Sequence, residues 1–253
     1  FNTVWLNSET DILEKWQKER LNKIAERITV LYDLDDTGKK YSYRMALRYL
    51  DFTLALLPEQ MYTQTEGKCK DVKDFFTKWR TDDGRSRRSD YFYMDKFKEF
   101  SFVIKNSLPL KFWMNKIKEK DGEPVISGVE IDNEQLYRFL QAFGIRKYSY
   151  STEKFRFVRV TDNIVEEIGD DKITNKILRD YLNRNPEYFD KQLLNAINRS
   201  NQLKGQSLQN ISEVKLDFKV DAQECDYLFF RNGALRITAN DMEMIPTEKL
   251  PFH

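Results

Sequence analysis

Ile28-Thr29-Val30-Leu31-Tyr32-Asp33-Leu34-Asp35-Asp36-Thr37-Gly38 decides the architecture of the N-terminal part of this chain. Its first five residues are β-branched, aliphatic or aromatic, which predicts a short buried parallel strand. An acidic turn, Asp33 to Gly38, follows at the strand's C-terminal end, and the spacing then predicts a helix from about Lys40 to Leu50. Downstream, Thr53 to Leu57 reads as a second strand closed by Pro58. Upstream, Ser8 or Thr10 is placed to cap a helix through about Arg27, with Ile12, Leu13, Trp16, Leu21 and Ile24 as its apolar positions. Val4-Trp5-Leu6 reads as the end of a strand before it, met without a preceding turn, as in a piece of a longer polypeptide. Strand, helix, strand, helix, strand is the alternation of an α/β unit with a parallel sheet.

The character changes after Arg80. Thr81 to Asp90 has no apolar residue and contains Gly84, so it is the expected linker. Residues 92–118 read as helical with an interruption at Pro109, Val125 to Val129 as a strand, and Asn133 as the cap of a helix stopped by Gly144. Tyr148 to Tyr150, Phe155 to Val158 and Asn163 to Ile168 alternate as strands. Helix followed by hairpin is the order of a winged-helix unit. Residues 171–200 read as helical, broken near Pro186, and Arg231-Asn232-Gly233 joins strands at Tyr227–Phe230 and Ala234–Thr238. The expected organisation is an α/β unit over 1–80, a linker over 81–90, a helical and hairpin region over 91–170, and a helical segment with a β-hairpin over 171–253. In fold class this is α/β followed by α+β.

Composition excludes several chemistries. The 253 residues hold one histidine, His253, which removes His-dependent triads, His-ligated zinc and histidine general bases. Cys69 and Cys225 form neither a disulfide framework nor a zinc pattern, and point to a reducing, cytoplasmic setting. No apolar run approaches the roughly 18 residues of a membrane span, and the polar Asn7-Ser8-Glu9 breaks any signal-peptide pattern, so no membrane partner is expected. The net charge of +1, from 42 basic and 41 acidic residues, neither demands nor forbids a nucleic-acid partner. Carboxylates and lysines must carry any catalysis.

Asp33-x-Asp35 is the constellation with chemical content. Ligands of open α/β sheets bind at the carboxyl ends of strands, and two carboxylates in such a turn can share Mg²⁺ or Mn²⁺, hard ions that keep waters for exchange with substrate phosphates. Gly38 permits tight entry into the helix that follows. The plainer alternative is an acidic turn that only caps that helix.

Two families share this spelling. Asp33-x-Asp35-x-Thr37 resembles the first motif of haloacid-dehalogenase-type phosphatases, but there the motif follows the first strand of its domain, whereas here a strand and a helix precede it. Strand, Asp-x-Asp-x-x-Gly and helix more closely resembles the central motif of the Toprim domain of primases and topoisomerases. Lys70-Asp71-Val72-Lys73-Asp74 stands where primase-type Toprim domains carry a Lys-Asp-x-x-Asp stretch. The resemblance implies Asp33 and Asp35 as catalytic, metal-holding carboxylates, with Asp71 or Asp74 as a further carboxylate near the metal. It also implies a glutamate after the first strand of the sheet. Glu9 is poorly placed for that role, so the glutamate is expected upstream of Phe1, and the Toprim-type sheet is expected to be incomplete at its start.

The rest of the chain resembles the connecting region of large primase–helicases of phages, plasmids and integrated elements. The matching stretches are Phe139 to Gly144, Phe157 to Val165 and Tyr227 to Gly233. That resemblance implies a DNA primase–helicase acting in mobile-element replication, with single-stranded DNA, nucleotides and an AAA+ helicase module as partners. No Gly-x-x-x-x-Gly-Lys-Ser/Thr phosphate loop occurs, so ATP hydrolysis is not expected of this chain by itself. Primer synthesis is not expected either, because the glutamate that the resemblance implies is missing, while metal and DNA binding are expected. A non-catalytic DNA-binding or docking module, or a Toprim nuclease using the same carboxylates, stays open beside it. Arg85, Arg87 and Arg88, with Tyr91 close by, combine the charge and ring that suit a single strand, and read equally well as a solvated linker. Tyr148, Tyr150 and Phe157 are candidates for an exposed stacking face.

Overall fold

In the computed structural model, residues 6, 8, 10–79, 90–151, 154–161, 164–168, 171–188, 191–199, 207–216, 225–230 and 232–250 are described. The chain is mixed α/β and divides into two compact units, 1–112 and 113–253. Of the expected linker over 81–90, all but Asp90 lies outside the described residues, as does the strand expected at Val4–Leu6 except for Leu6.

The first unit begins with α1 (Lys15–Ile24). This helix starts later than Ser8 or Thr10 would place it. Ser8, Thr10 and Asp11 bond to one another in a turn ahead of the helix, and Gln17 Oε1 accepts from the Glu14 amide at 2.8 Å. Next come β1 (Thr29–Val30), α2 (Asp36–Arg48) and β2 (Thr53–Leu54). β1 and β2 pair in parallel, Thr29 with Thr53 and Val30 with Leu54. Two short helices, α3 (Glu59–Thr63) and α4 (Val72–Thr77), follow, and then α5 (Asp90–Lys105). β3 (Leu108–Pro109) adds antiparallel to β2, completing a three-stranded sheet in the order β1-β2-β3. Arg27 ties this sheet to the end of α5, donating to the carbonyls of Ile104, Lys105 and Ser107.

The core of this unit gathers Leu34, Leu57, Met61, Cys69, Phe75 and Trp79, with Phe76 and Phe100 packed against it. The pattern explains the acidic turn. Leu34 is 1% exposed, and in extended chain its neighbours on either side, Asp33 and Asp35, project away from what it packs on.

The second unit holds an exposed hairpin, β4 (Trp113–Lys120) with β5 (Glu123–Ile131), turned at Asp121-Gly122, where both residues have positive φ. Residues 113–118 are therefore strand, not the continuation of a helix over 92–118. Nearly every position of β4 after Trp113 is exposed, so it carries no burial periodicity, and pairing with β5 decides its conformation. α6 (Asn133–Ala142) is capped by Asp132, which accepts from the Gln135 amide at 3.0 Å, and not by the expected Asn133, which is already the first residue of the helix. It is followed by the antiparallel sheet β6 (Ile145–Ser149), β7 (Phe155–Thr161) and β8 (Ile164–Ile168). Gly144, at φ +81°, makes the corner between helix and sheet. A Cβ there would stand 2.1 Å from the Val160 carbonyl oxygen. α7 (Asp171–Arg184), a 3-10 turn at Pro186–Tyr188 and α8 (Lys191–Arg199) form the helical stretch expected over 171–200, with its break at Pro186. β9 (Cys225–Phe230), β10 (Gly233–Thr238) and β11 (Met242–Pro246) form a third antiparallel sheet, whose last strand the sequence pattern had not suggested.

Candidate functional site at the end of strand β1

Asp33 and Asp35 lie just beyond β1, in the turn that enters α2. Asp35 is the N-cap of that helix: its Oδ1 accepts from the Gly38 amide at 2.8 Å. The helix therefore starts at Asp36 rather than near Lys40, because the side chain that satisfies its first free amides sits at position 35. Gly38 is required by close approach. A Cβ on it would meet the Asp33 carbonyl oxygen at 2.4 Å.

The segment after α3 closes the site. The Leu34 amide donates to the Lys70 carbonyl at 2.9 Å, so the backbone of the acidic turn and that of Lys70 run side by side. The Lys70 ammonium then stands between the two carboxylates, 2.6 Å from Asp35 Oδ2 and 3.7 Å from Asp33 Oδ2. All three side chains keep partial access to solvent. A second lysine, Lys39 on the first turn of α2, pairs with Glu59 at 3.1 Å. Burial pushes the Asp35 carboxyl up. The hydrogen bonds from Lys70 and the Gly38 amide, together with the charges of Lys70 and Lys39, outweigh it and hold the group below its ordinary value.

Asp71 and Asp74 have other work. Asp71 is the N-cap of α4, its Oδ1 accepting from the Asp74 amide at 2.6 Å. Asp74 is 6% exposed; it accepts from the Lys70 amide at 3.1 Å and pairs with the Lys78 ammonium one turn along the helix. Burial raises its carboxyl and the contacts with Lys78, Lys70 and Asp71 lower it further, for a net downward shift. Among the described residues no three acidic, histidine or cysteine side chains gather as a metal-holding group. The structure thus brings Asp33, Asp35 and Lys70 together, and uses Asp71 and Asp74 to build the helix that presents Lys70. Lys70, expected only as the first residue of the Lys-Asp-x-x-Asp stretch, is the member of that stretch that reaches the two carboxylates. The signal was its position immediately before the Asp71 cap, where a side chain leaves the helix axis.

Arg85, Arg87 and Arg88 lie outside the described residues, and Tyr91 falls within α5 with its side chain undescribed. Tyr148 and Tyr150 share one face of the β6–β7–β8 sheet. Phe157 does not join them. Tyr148 is paired with Arg156, so period two places Phe157 on the opposite face, where its ring meets Phe155 at 5.5 Å.

Two carboxylates converging on one cation are a donor set that fits Mg²⁺ or Mn²⁺. Magnesium sites in phosphate chemistry use one or two carboxylates and fill the remaining shell with water and substrate oxygens. Asp33 and Asp35 are the residues that would hold such an ion. No helix among the described residues is long and apolar enough to cross a membrane. No family model, curated protein or solved structure matches the chain.

Proposed function

We propose that this chain is part of a DNA primase–helicase of a mobile element, with a Toprim-type turn at Asp33 and Asp35 that holds Mg²⁺ or Mn²⁺ for nucleotidyl transfer. One observation carries the reading: Oδ2 of Asp33 and Oδ2 of Asp35 face the same cation, Lys70 Nζ, at the carboxyl end of a strand in a parallel pair. A bound divalent ion supplies electrophilic polarisation of nucleotide phosphate oxygens. The protein's own groups do the rest. Asp35 stays ionised at neutral pH, Leu34 anchors the turn in the core, and Lys70 provides a positive charge beside the carboxylates for a polyphosphate. Single-stranded DNA and nucleotides are the proposed partners, together with an AAA+ helicase module of the parent protein. In the second unit, α6 followed directly by the three-stranded sheet β6–β7–β8 supports a winged-helix-like, DNA-contacting role.

The test is calorimetric titration of Mg²⁺ and Mn²⁺ into the wild type, Asp33→Asn and Asp35→Asn. Each substitution removes a charged oxygen while keeping its shape, so both should weaken binding. Equal affinity in all three proteins removes the assignment. A labelled single strand incubated with nucleotides and Mn²⁺ then separates the chemistries, since longer products indicate synthesis and shorter ones a nuclease.

A second reading has its own observation. The Lys70 ammonium already pairs with both carboxylates, which suits a turn that only scaffolds a DNA-binding or docking module. Absence of any divalent-ion heat with the wild type favours it.

A further inference from the structure

One face of the sheet β6–β7–β8 carries an open cavity of about 320 Å³. The cross-strand register explains which side chains line it. Tyr148 is paired with Arg156, Val158 with Glu167 and Val160 with Val165, so these residues share one face. Val158, 4% exposed, forms an apolar floor with Val165. Tyr148 and Tyr150 supply aromatic walls, and Tyr150 is 48% exposed. The remaining wall is set by the segment 212–214, which runs along the free edge of β6. Lys147 donates from its amide to Ser212 at 3.0 Å and accepts from the Val214 amide at 2.8 Å, which brings Leu216 to the rim.

The polar groups in this cavity are specific in kind. The Arg156 guanidinium lies over the Tyr150 ring, 5.3 Å from its centroid, and its Nη1 is 2.6 Å from Glu167 Oε2. A planar donor and a carboxylate acceptor therefore sit side by side next to two phenol rings. An inorganic phosphate does not suit this site, because Glu167 opposes it. An aliphatic chain would set apolar surface against the exposed Arg156–Glu167 pair and the tyrosine hydroxyls. A flat heteroaromatic ring uses everything present: its faces stack on tyrosine and guanidinium, and its edge offers both donors and acceptors. We infer that this face of the second unit is a binding site for an unpaired base of a polynucleotide strand, separate from the Asp33–Asp35 turn and independent of it.

The test uses the full chain in EDTA, so that no divalent ion takes part. Twelve-residue deoxythymidine and uridine oligonucleotides, each carrying 5-iodouracil, are irradiated with the wild type, and the cross-linked peptides are identified by mass spectrometry. A cross-link at Tyr148 or Tyr150 is expected, and the arm in which it forms identifies the strand as DNA or RNA. By fluorescence anisotropy, Tyr148→Ala/Tyr150→Ala should weaken binding about tenfold or more. Tyr148→Phe/Tyr150→Phe, which keeps the rings, should remain near wild type. Cross-links found only at other residues, or none in either arm, would overturn the site whatever becomes of the metal assignment. Unchanged affinity in the alanine variant would do the same.

Discussion

The ammonium of Lys70 donates to Oδ2 of Asp35 at 2.6 Å across 35 residues of chain. Backbone geometry enforces the contact. The Leu34 amide holds the Lys70 carbonyl, Leu34 itself is locked in the core with Cys69 and Phe75, and Asp74 holds the Lys70 amide. The backbone of Lys70 is thereby held on both sides, which fixes where its side chain starts relative to the acidic turn.

Removing that ammonium should move a titration. The Asp35 carboxyl is held below its ordinary value, so it contributes stability above its unfolded pKa of about 3.9, and this is lost as pH falls through the lower folded value. In Lys70→Ala the burial that pushes the carboxyl up remains, while the main hydrogen bond and charge that oppose it are gone. Carboxyl ¹³C NMR should show Asp35 titrating at higher pH than in the wild type, and Mn²⁺ should bind more tightly because a competing cation has been removed. An unmoved Asp35 titration would mean that Lys70 is not its counter-ion in solution.

Asp74→Ala should destabilise the first unit by about 1–3 kcal/mol, since it leaves the Lys70 amide without its acceptor in a largely buried place. Urea unfolding at neutral pH measures this. Because the Asp74 carboxyl is also shifted down, the wild type should lose this contribution as pH falls below about 4, and the gap between wild type and variant should narrow there. A gap that stays constant down to pH 2 contradicts the ionised role.

Gly38→Ala tests the packing of the turn. Within a helix, alanine in place of glycine ordinarily stabilises by about 0.5–1 kcal/mol. Here the added carbon would stand 2.4 Å from the Asp33 carbonyl oxygen, a backbone atom that cannot rotate aside. The clash should win, with a loss of about 1–3 kcal/mol and weaker metal binding as Asp33 is displaced. Exposed Thr37→Ala, on the same turn, should stay within about 0.5 kcal/mol of wild type. A thermal midpoint for Gly38→Ala at or above the wild type's would show that the backbone yields.

For the basic segment, Arg85→Ala/Arg87→Ala/Arg88→Ala should weaken single-stranded DNA binding uniformly across sequences. If each arginine meets one phosphate, the slope of log affinity against log salt should fall by about 2. Anisotropy titrations at several salt concentrations read it directly, and an unchanged slope returns the cluster to a solvated role.

How far the sequence alone reaches differs from element to element. The helix at 133–142 was legible because Leu136, Phe139 and Leu140 recur on one face and a glycine ends it, although the cap is Asp132 and not Asn133. The strand at 113–120 was not, because its exposed residues carry no burial pattern and only the partner strand defines it. Tyr148 and Tyr150 were legible as a pair of rings. That Phe157 leaves them was not, since it depends on the register of β6 against β7.

At the site, sequence by itself determined the turn: a β-branched run, two carboxylates flanking an apolar residue, and a glycine. These are short-range facts, fixed by backbone alternation and the steric demands of adjacent residues. Only the tertiary structure decided what faces those carboxylates. Lys70, Asp71 and Asp74 are all polar residues in one short stretch, and no local rule separates them. The packing of Leu34 against Cys69 and Phe75 sets the rotation of that segment. It turns Lys70 toward Asp33 and Asp35, leaving Asp71 and Asp74 to satisfy the amides at the start of α4 and of Lys70.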